Sequence, residues 1–129
     1  MGAIDSTAGR LQLFASEDAS GSPVVAAHGD IDINTVEQLH TSLLARVEAS
    51  RTRSGTATGI VLDLTGVVFF GSVALEPMLR VRDILAADRA HLHLVVTEHI
   101  RRSLNILGMT ALFALHDDLR DALDALRQD

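Results

Sequence analysis

Residues 59–79 read GIVLDLTGVVFFGSVALEPML. The run GIVLDL over 59–64 carries the strongest strand pattern in the chain. VVFF over 67–70 follows almost at once, so the intervening loop should be short and partly buried. A helix then begins near Ser72 and continues to about Ala87, with Met78, Val81 and Leu85 on its inner face and Leu75 and Leu79 beside them. Pro77 is tolerated only within about the first turn, because deeper in it would remove a helical hydrogen bond. The regular helix should therefore start nearer Val73 or Ala74.

The pattern repeats outward from this unit. Upstream, PVVAAH over 23–28 is a short apolar run suited to a buried strand, and Gly29 ends it. Asn34, with Glu37 three residues on, has the arrangement of a capping box, followed by Val36, Leu39, Leu43 and Val47 at helical spacing. Residues 50–58 are small and polar, a loop with Arg51 and Arg53 in solvent. Residues 10–16, RLQLFAS, read as an edge strand with Leu11 and Leu13 on one face, and 17–22 as a turn. Downstream, HLHLVVT over 91–97 is a strand. Residues 98–107 form a short amphipathic helix through Ile100, Leu104 and Leu107, stopped by Gly108. Residues 112–115 make a last short strand. Asp117 or Asp118 caps a final helix with Leu119, Leu123 and Leu126 inward.

Strands separated by helices imply parallel pairs joined by right-handed crossovers. The expected fold class is α/β: a mostly parallel sheet of about five strands with a mixed edge, packed with about four helices. Residues 1–9 are expected to be a disordered N-terminal tail, and 10–129 a single domain.

Composition narrows the function. The chain has 129 residues, no cysteine, and a formal charge of −6; all eleven basic residues are arginine. Thiolate chemistry, disulfides, Schiff bases and a lysine-bearing phosphate loop are excluded. The charge argues against nucleic acid, where affinity comes from neutralising phosphates. No apolar run reaches the roughly 18–20 residues of a membrane span, and residues 1–6 lack a signal-peptide pattern. The expected location is the cytoplasm, with neither membrane nor nucleic acid as partner.

Few residues suggest chemistry. His91 and His93 share a strand face, but no third ligand sits at a recognisable spacing, so they read as surface or cap-adjacent histidines and no metal site is expected. Asp117 and Asp118 read as capping residues. Asp63, at the end of an apolar strand, must be hydrogen-bonded or exposed at the sheet's rim. Ser72 sits at a strand-to-helix turn, where a hydroxyl caps the helix or stands beside free amides. The sequence around it, Gly71-Ser72-Val73-Ala74, is no nucleophile elbow.

Residues 59–79 resemble the signature of STAS domains, the anti-sigma factor antagonist family of bacteria: a strand ending in D-L-S-G-V, an apolar pair, then D-S-S-G-L opening a helix. Residues 28–39, HGDIDINTVEQL, are similar to the family's G-E-L-D followed by a helix. The likeness extends from about residue 10 to 126. It implies a non-enzymatic binding domain with no cofactor. In the family, the unphosphorylated antagonist docks on an anti-sigma factor with a histidine-kinase-like ATPase fold and frees the sigma factor. The anti-sigma factor, as a serine kinase, then phosphorylates the second serine of D-S-S-G and breaks the complex. A phosphoryl group adds a charge of about −1.5 to −2 to such a surface.

Position by position, Asp30 stands for the family's Glu and Asp32 matches its partner-facing Asp. Gly71 replaces Asp, Ser72 matches the first serine, Val73 occupies the phosphoserine position, Ala74 replaces Gly, and Leu75 matches. Valine has no hydroxyl, so a switch at that position is chemically impossible. Ser72 lies one residue away, about 100° around a helix. The resemblance therefore implies docking through Asp30, Asp32, Gly71, Ser72, Val73, Ala74 and Leu75, with phosphorylation at Ser72, at Thr65 or nowhere. The alternatives are a STAS scaffold or sensor that has lost the switch and assembles with other STAS proteins, a small ligand or a lipid-transport complex, and an enzyme using Asp63 and Ser72.

Overall fold

A computed structural model of the chain describes residues 3–8 and 10–129. Six strands form one sheet in sequential order: β1 (Ala3–Ala8), β2 (Leu11–Glu17), β3 (Pro23–Ile31), β4 (Ile60–Phe70), β5 (Leu92–Val95) and β6 (Ala114–His116). The helices are α1 (Val36–Ser54), α2 (Leu75–Ala87), α3 (Glu98–Ile106) and α4 (Leu119–Leu126). β1–β2 and β2–β3 pair antiparallel, whereas β3–β4, β4–β5 and β5–β6 pair parallel. The α/β class, the mixed edge and the four helices agree with the sequence reading.

Sequential order has a packing consequence. Crossovers of one hand that step to the next strand in the same direction leave their helices on one face. Accordingly α1, α2 and α3 share a face, where Leu39, Leu43, Met78, Val81, Ile100 and Leu104 enclose the main core. α4 alone covers part of the other face, setting Ala122 and Leu126 on Val24, Val61 and Val95. β4 alternates between the two layers: Ile60, Leu62 and Leu64 enter the first and Val61 the second.

Several boundaries differ from expectation. Ala3–Ala8 pair with β2 as an edge strand, where a disordered tail over 1–9 was expected; residues 1, 2 and 9 lie outside the described residues. β4 runs unbroken to Phe70 instead of stopping for a loop, because two bulges against β3 absorb the irregularity. α1 continues to Ser54, so half of the expected polar loop is helix, ended by Gly55 in the left-handed region at φ 84°. The 3-10 turn Ser72–Ala74 precedes α2, which places Pro77 in the first turn of α2, as its chemistry requires. The final strand lies slightly later than expected, after a 3-10 turn at Thr110–Leu112. Asp118 caps α4 by accepting from the Asp121 amide, and Leu119 is exposed rather than inward. His93 is buried, contrary to its surface reading, and burial with the neighbouring His93 holds the His116 imidazole below its usual range.

The β2–β3 turn is organised by Asp18. Its carboxylate accepts from the Ser20 hydroxyl at 2.7 Å, the Ser22 amide at 2.9 Å and the Ser20 amide at 3.0 Å, and pairs with Arg127 at 2.8 Å. The Ser20 hydroxyl contributes most; with the amides and Arg127 it outweighs desolvation and lowers the Asp18 pKa to about 2. The carboxyl is more acidic folded than unfolded, so its stabilisation is complete above about pH 4 and is lost as pH falls towards about 2. Asp18→Asn should flatten that acid-side loss, measured by urea unfolding across this range.

Gly29 faces Leu11 with φ 108°, and a Cβ there would overlap the Arg10 carbonyl oxygen. Gly29→Ala should cost about 3 kcal/mol through backbone strain and displacement of β2, read from chemical denaturation.

Candidate functional site

The two motif segments meet at the carboxyl ends of β3 and β4. The strands stay paired as far as Ile31 and Phe70, and the first amide beyond β4, Gly71, donates to the Ile31 carbonyl at 2.8 Å. That close approach accounts for the glycine: a Cβ at position 71 would lie 2.8 Å from the same oxygen and 3.2 Å from the Phe69 ring. Beyond it the Ala74 amide returns to the Gly71 carbonyl at 3.0 Å, closing the 3-10 turn that leads into α2.

Asp32 organises the facing turn. Its Oδ1 accepts from the Asn34 amide at 2.9 Å, and its carbonyl accepts from the Val36 amide at 2.9 Å. The Thr35 hydroxyl accepts from the Asp32 amide at 2.9 Å and donates to the Asp30 carbonyl at 2.8 Å. Thr35, not Asn34, is therefore the N-cap residue, and no side chain caps α1, so the expected Asn34–Glu37 capping box does not form. Arg10 clamps both acids from β2's approach, with Nη1 3.1 Å from Asp30 Oδ2 and Nη2 2.7 Å from Asp32 Oδ2. Partial desolvation pushes the Asp32 pKa up, but the Asn34 amide, Arg10 and the Thr35 hydroxyl prevail and hold it below the usual carboxylate value.

The 71–75 turn presents a graded surface. Ser72 is exposed, Val73 and Leu75 are half-buried, and Ala74 is buried in the core. Gly71 occupies the N-cap position of the 3-10 turn and no side chain caps it, so Ser72 is not the cap. A groove of ≈ 340 Å³ separates the start of α1 from this turn, with Ser72 and Val73 on one wall, Ile33 and Val36 on the other, and Glu37, His40 and the Glu76–Arg80 ion pair also lining it.

At the same end of the sheet stand exposed apolar side chains that sequence reasoning missed. Val68 is 77% exposed, Phe69 53% and Ile33 74%, whereas Val67 and Phe70 are buried. The cause is the second bulge, where Gly29 and Asp30 of β3 face Val67 and Phe69 of β4, so that β4 gains a residue. The signal was present: four consecutive apolar residues in a strand of period two do not all face one core.

Thr65 and Asp63 lie elsewhere, at the first bulge. Asp63 Oδ1 accepts from the Thr65 amide at 2.9 Å and from its hydroxyl at 2.7 Å. The Asp63 carboxylate thus holds local backbone, and the structure does not bring it together with Ser72.

The comparisons with known proteins agree with this architecture. The STAS domain model matches residues 15–122. The crystal structure of an anti-sigma factor antagonist from Mycobacterium paratuberculosis superposes with a TM-score of 0.77 at 30% identity, covering 98% of this chain and 99% of that one. The Bacillus cell fate determinant SpoIIAA in its phosphorylated form gives a TM-score of 0.62 at 17% identity, over 89% and 99%. A STAS domain protein from Planctomyces limnophilus gives 0.68 at 20%, over 88% and 96%. No curated protein matches the chain. Among the described residues no helix is long and apolar enough to cross a membrane. With the family model matching residues 15–122, and with both motif segments joined at one end of the sheet, the chain belongs to the STAS domain family.

Proposed function

We propose that this chain acts as an anti-sigma factor antagonist. It docks on an anti-sigma factor, releases the sigma factor held there, and regulates transcription by partner switching in the cytoplasm without catalysing a reaction itself. The observation that carries this reading is the joined surface: Gly71 bonded to Ile31, with Ile33 and Ser72 lining the groove and Val68 and Phe69 exposed at the end of β4. The likeness to the Mycobacterium antagonist over nearly the full length of both chains supports it. The partner is an anti-sigma factor with a histidine-kinase-like ATPase fold that acts as a serine kinase. Exposed Ile33, Val68 and Phe69 suit a partner surface with an apolar centre. The scaffold alternative, with other STAS proteins as partners, has no observation of its own in its favour.

The contact set is Asp30, Asp32 and the turn from Gly71 to Leu75, joined by Phe69. Its members differ in role. Asp30 and Asp32, their carboxylates largely covered, shape the turn and hold the exposed Arg10 guanidinium; Ser72 offers an exposed hydroxyl; Ala74, being buried, supports the turn from below. Ser72 is the better phosphoacceptor of the two candidates. A phosphate on Thr65 would stand against the Asp63 carboxylate that now accepts its hydroxyl. On Ser72 it would face solvent, in a groove lined by Glu37 and by Glu76 paired with Arg80, where the added charge resists burial against the partner's apolar centre.

Titration calorimetry against the kinase-fold anti-sigma factors of the same organism tests the proposal. Phe69→Ala should weaken binding about tenfold or more, with thermal stability little changed because the ring is exposed. Ser72→Asp should weaken binding to a similar degree. Unchanged affinity in both variants would remove this surface from the contact. In a separate assay with the partner and Mg-ATP, phosphopeptide mapping should find phosphate on Ser72; an unmodified chain would mean that switching proceeds without phosphorylation.

A further inference from the structure

A second cluster of polar groups lies at the opposite end of β4 and owes nothing to the docking reading. The docking surface lies at the Phe70 end of β4; this cluster sits beside Ile60, which pairs with Leu92. Along β4 that is roughly 30 Å away. Among the described residues, His91, His93 and Asp129 bring one ligand atom each to within 4.8 Å of one another. His91 Nδ1 is 2.9 Å from Asp129 Oδ1, and His93 Nε2 is 3.1 Å from Asp129 Oδ2.

We propose that His91, His93 and Asp129 form a binding site for a divalent transition metal, with Zn2+ as the fitting ion. Imidazole and carboxylate donors suit zinc, and a tetrahedral ion with bonds of about 2.0–2.1 Å sets its ligand atoms about 3.3 Å apart. The two imidazole–carboxylate separations lie within a few tenths of an ångström of that edge and all three ligand atoms lie within 4.8 Å of one another, so side-chain rotations that draw them together admit the ion.

Three further observations favour a built site over a chance grouping. His93 is held from behind: its Nδ1 lies 3.1 Å from His116 Nε2, and its side chain is 4% exposed. When His93 Nδ1 is the donor to His116, its Nε2 lone pair points at the cluster; such outer partners fix the tautomer of metal-bound histidines. Gly59 makes room for the carboxylate, since a Cβ there would come 2.8 Å from Asp129 Oδ2. The His91 side chain is 64% exposed, which leaves the fourth coordination position open to water or an outside ligand. Bound zinc would tie the segment after α4 to the start of β5, stabilising α4 on its face of the sheet.

The bland reading is a hydrogen-bonded staple in which Asp129 only pairs with the two imidazoles. Zinc titration of the full chain, free of any polyhistidine tag, with a chromophoric chelator as competitor, separates the two. One equivalent of Zn2+ should bind and raise the melting temperature. His91→Ala, at an exposed position whose loss does not threaten folding, should weaken zinc affinity about tenfold or more and abolish the thermal shift. Asp129→Asn should do the same, and His99→Ala, at an exposed histidine on α3, should change neither. Co2+ should give the visible absorption of a tetrahedral site, lost in His91→Ala. Failure of the full chain to bind zinc, or binding that survives both His91→Ala and Asp129→Asn, would overturn the proposal and leave the staple.

Discussion

The parallel pairing of β3 with β4, prolonged by the Gly71 amide to the Ile31 carbonyl, is the contact on which the functional surface depends. β4 outruns β5: its pairing with β5 ends at Asp63, whereas its pairing with β3 continues to Phe70. Two strand ends therefore project together beyond the rest of the sheet. Each opens into a helix through a turn fastened to the other strand or to its own carboxylate. The Gly71 bond carries the β3–β4 pairing one residue further, so the two motif segments leave the sheet side by side.

The same projection explains the exposed apolar residues. A regular strand would direct every second side chain of VVFF towards the core. The bulges add residues to β4, so Val67 and Phe70 are buried while Val68 and Phe69 face water. Exposing a phenylalanine and a valine together is unfavourable for an isolated chain, and a partner surface that covers them recovers the burial. Arg10 plays the complementary electrostatic part: it keeps Asp30 and Asp32 from repelling each other at the end of β3.

The sheet is unequally covered. Three helices enclose one face and the short α4 part of the other. α4 is held by a small apolar cluster, by the Arg127–Asp18 pair and by the Asp129 contacts to His91 and His93. Polar anchoring at the end of this helix therefore supplements a modest hydrophobic contact. It also gathers imidazole and carboxylate groups on an element remote from the docking surface.

The order of elements from β2 to α4, the α/β class and the place of the strand–turn–helix unit at 59–79 were legible in the sequence. Periodicity and punctuation are local properties, and Pro77 alone restrained where α2 could begin. The resemblance to STAS domains marked Asp32 and the 71–75 turn for the same reason, since both motifs are contiguous in the chain. Tertiary structure alone decided the rest. Whether Asn34 or Thr35 stands at the N-cap depended on Asp32 and on the Asp30 carbonyl across the turn. Whether residues 65–66 formed a loop between two apolar runs or a bulge within one strand depended on the register against β3. That His91 and His93 acquire a third ligand depended on Asp129, 36 residues beyond His93, folding back over the sheet. Such outcomes are set by pairing between distant segments, and no window along the chain contains both partners.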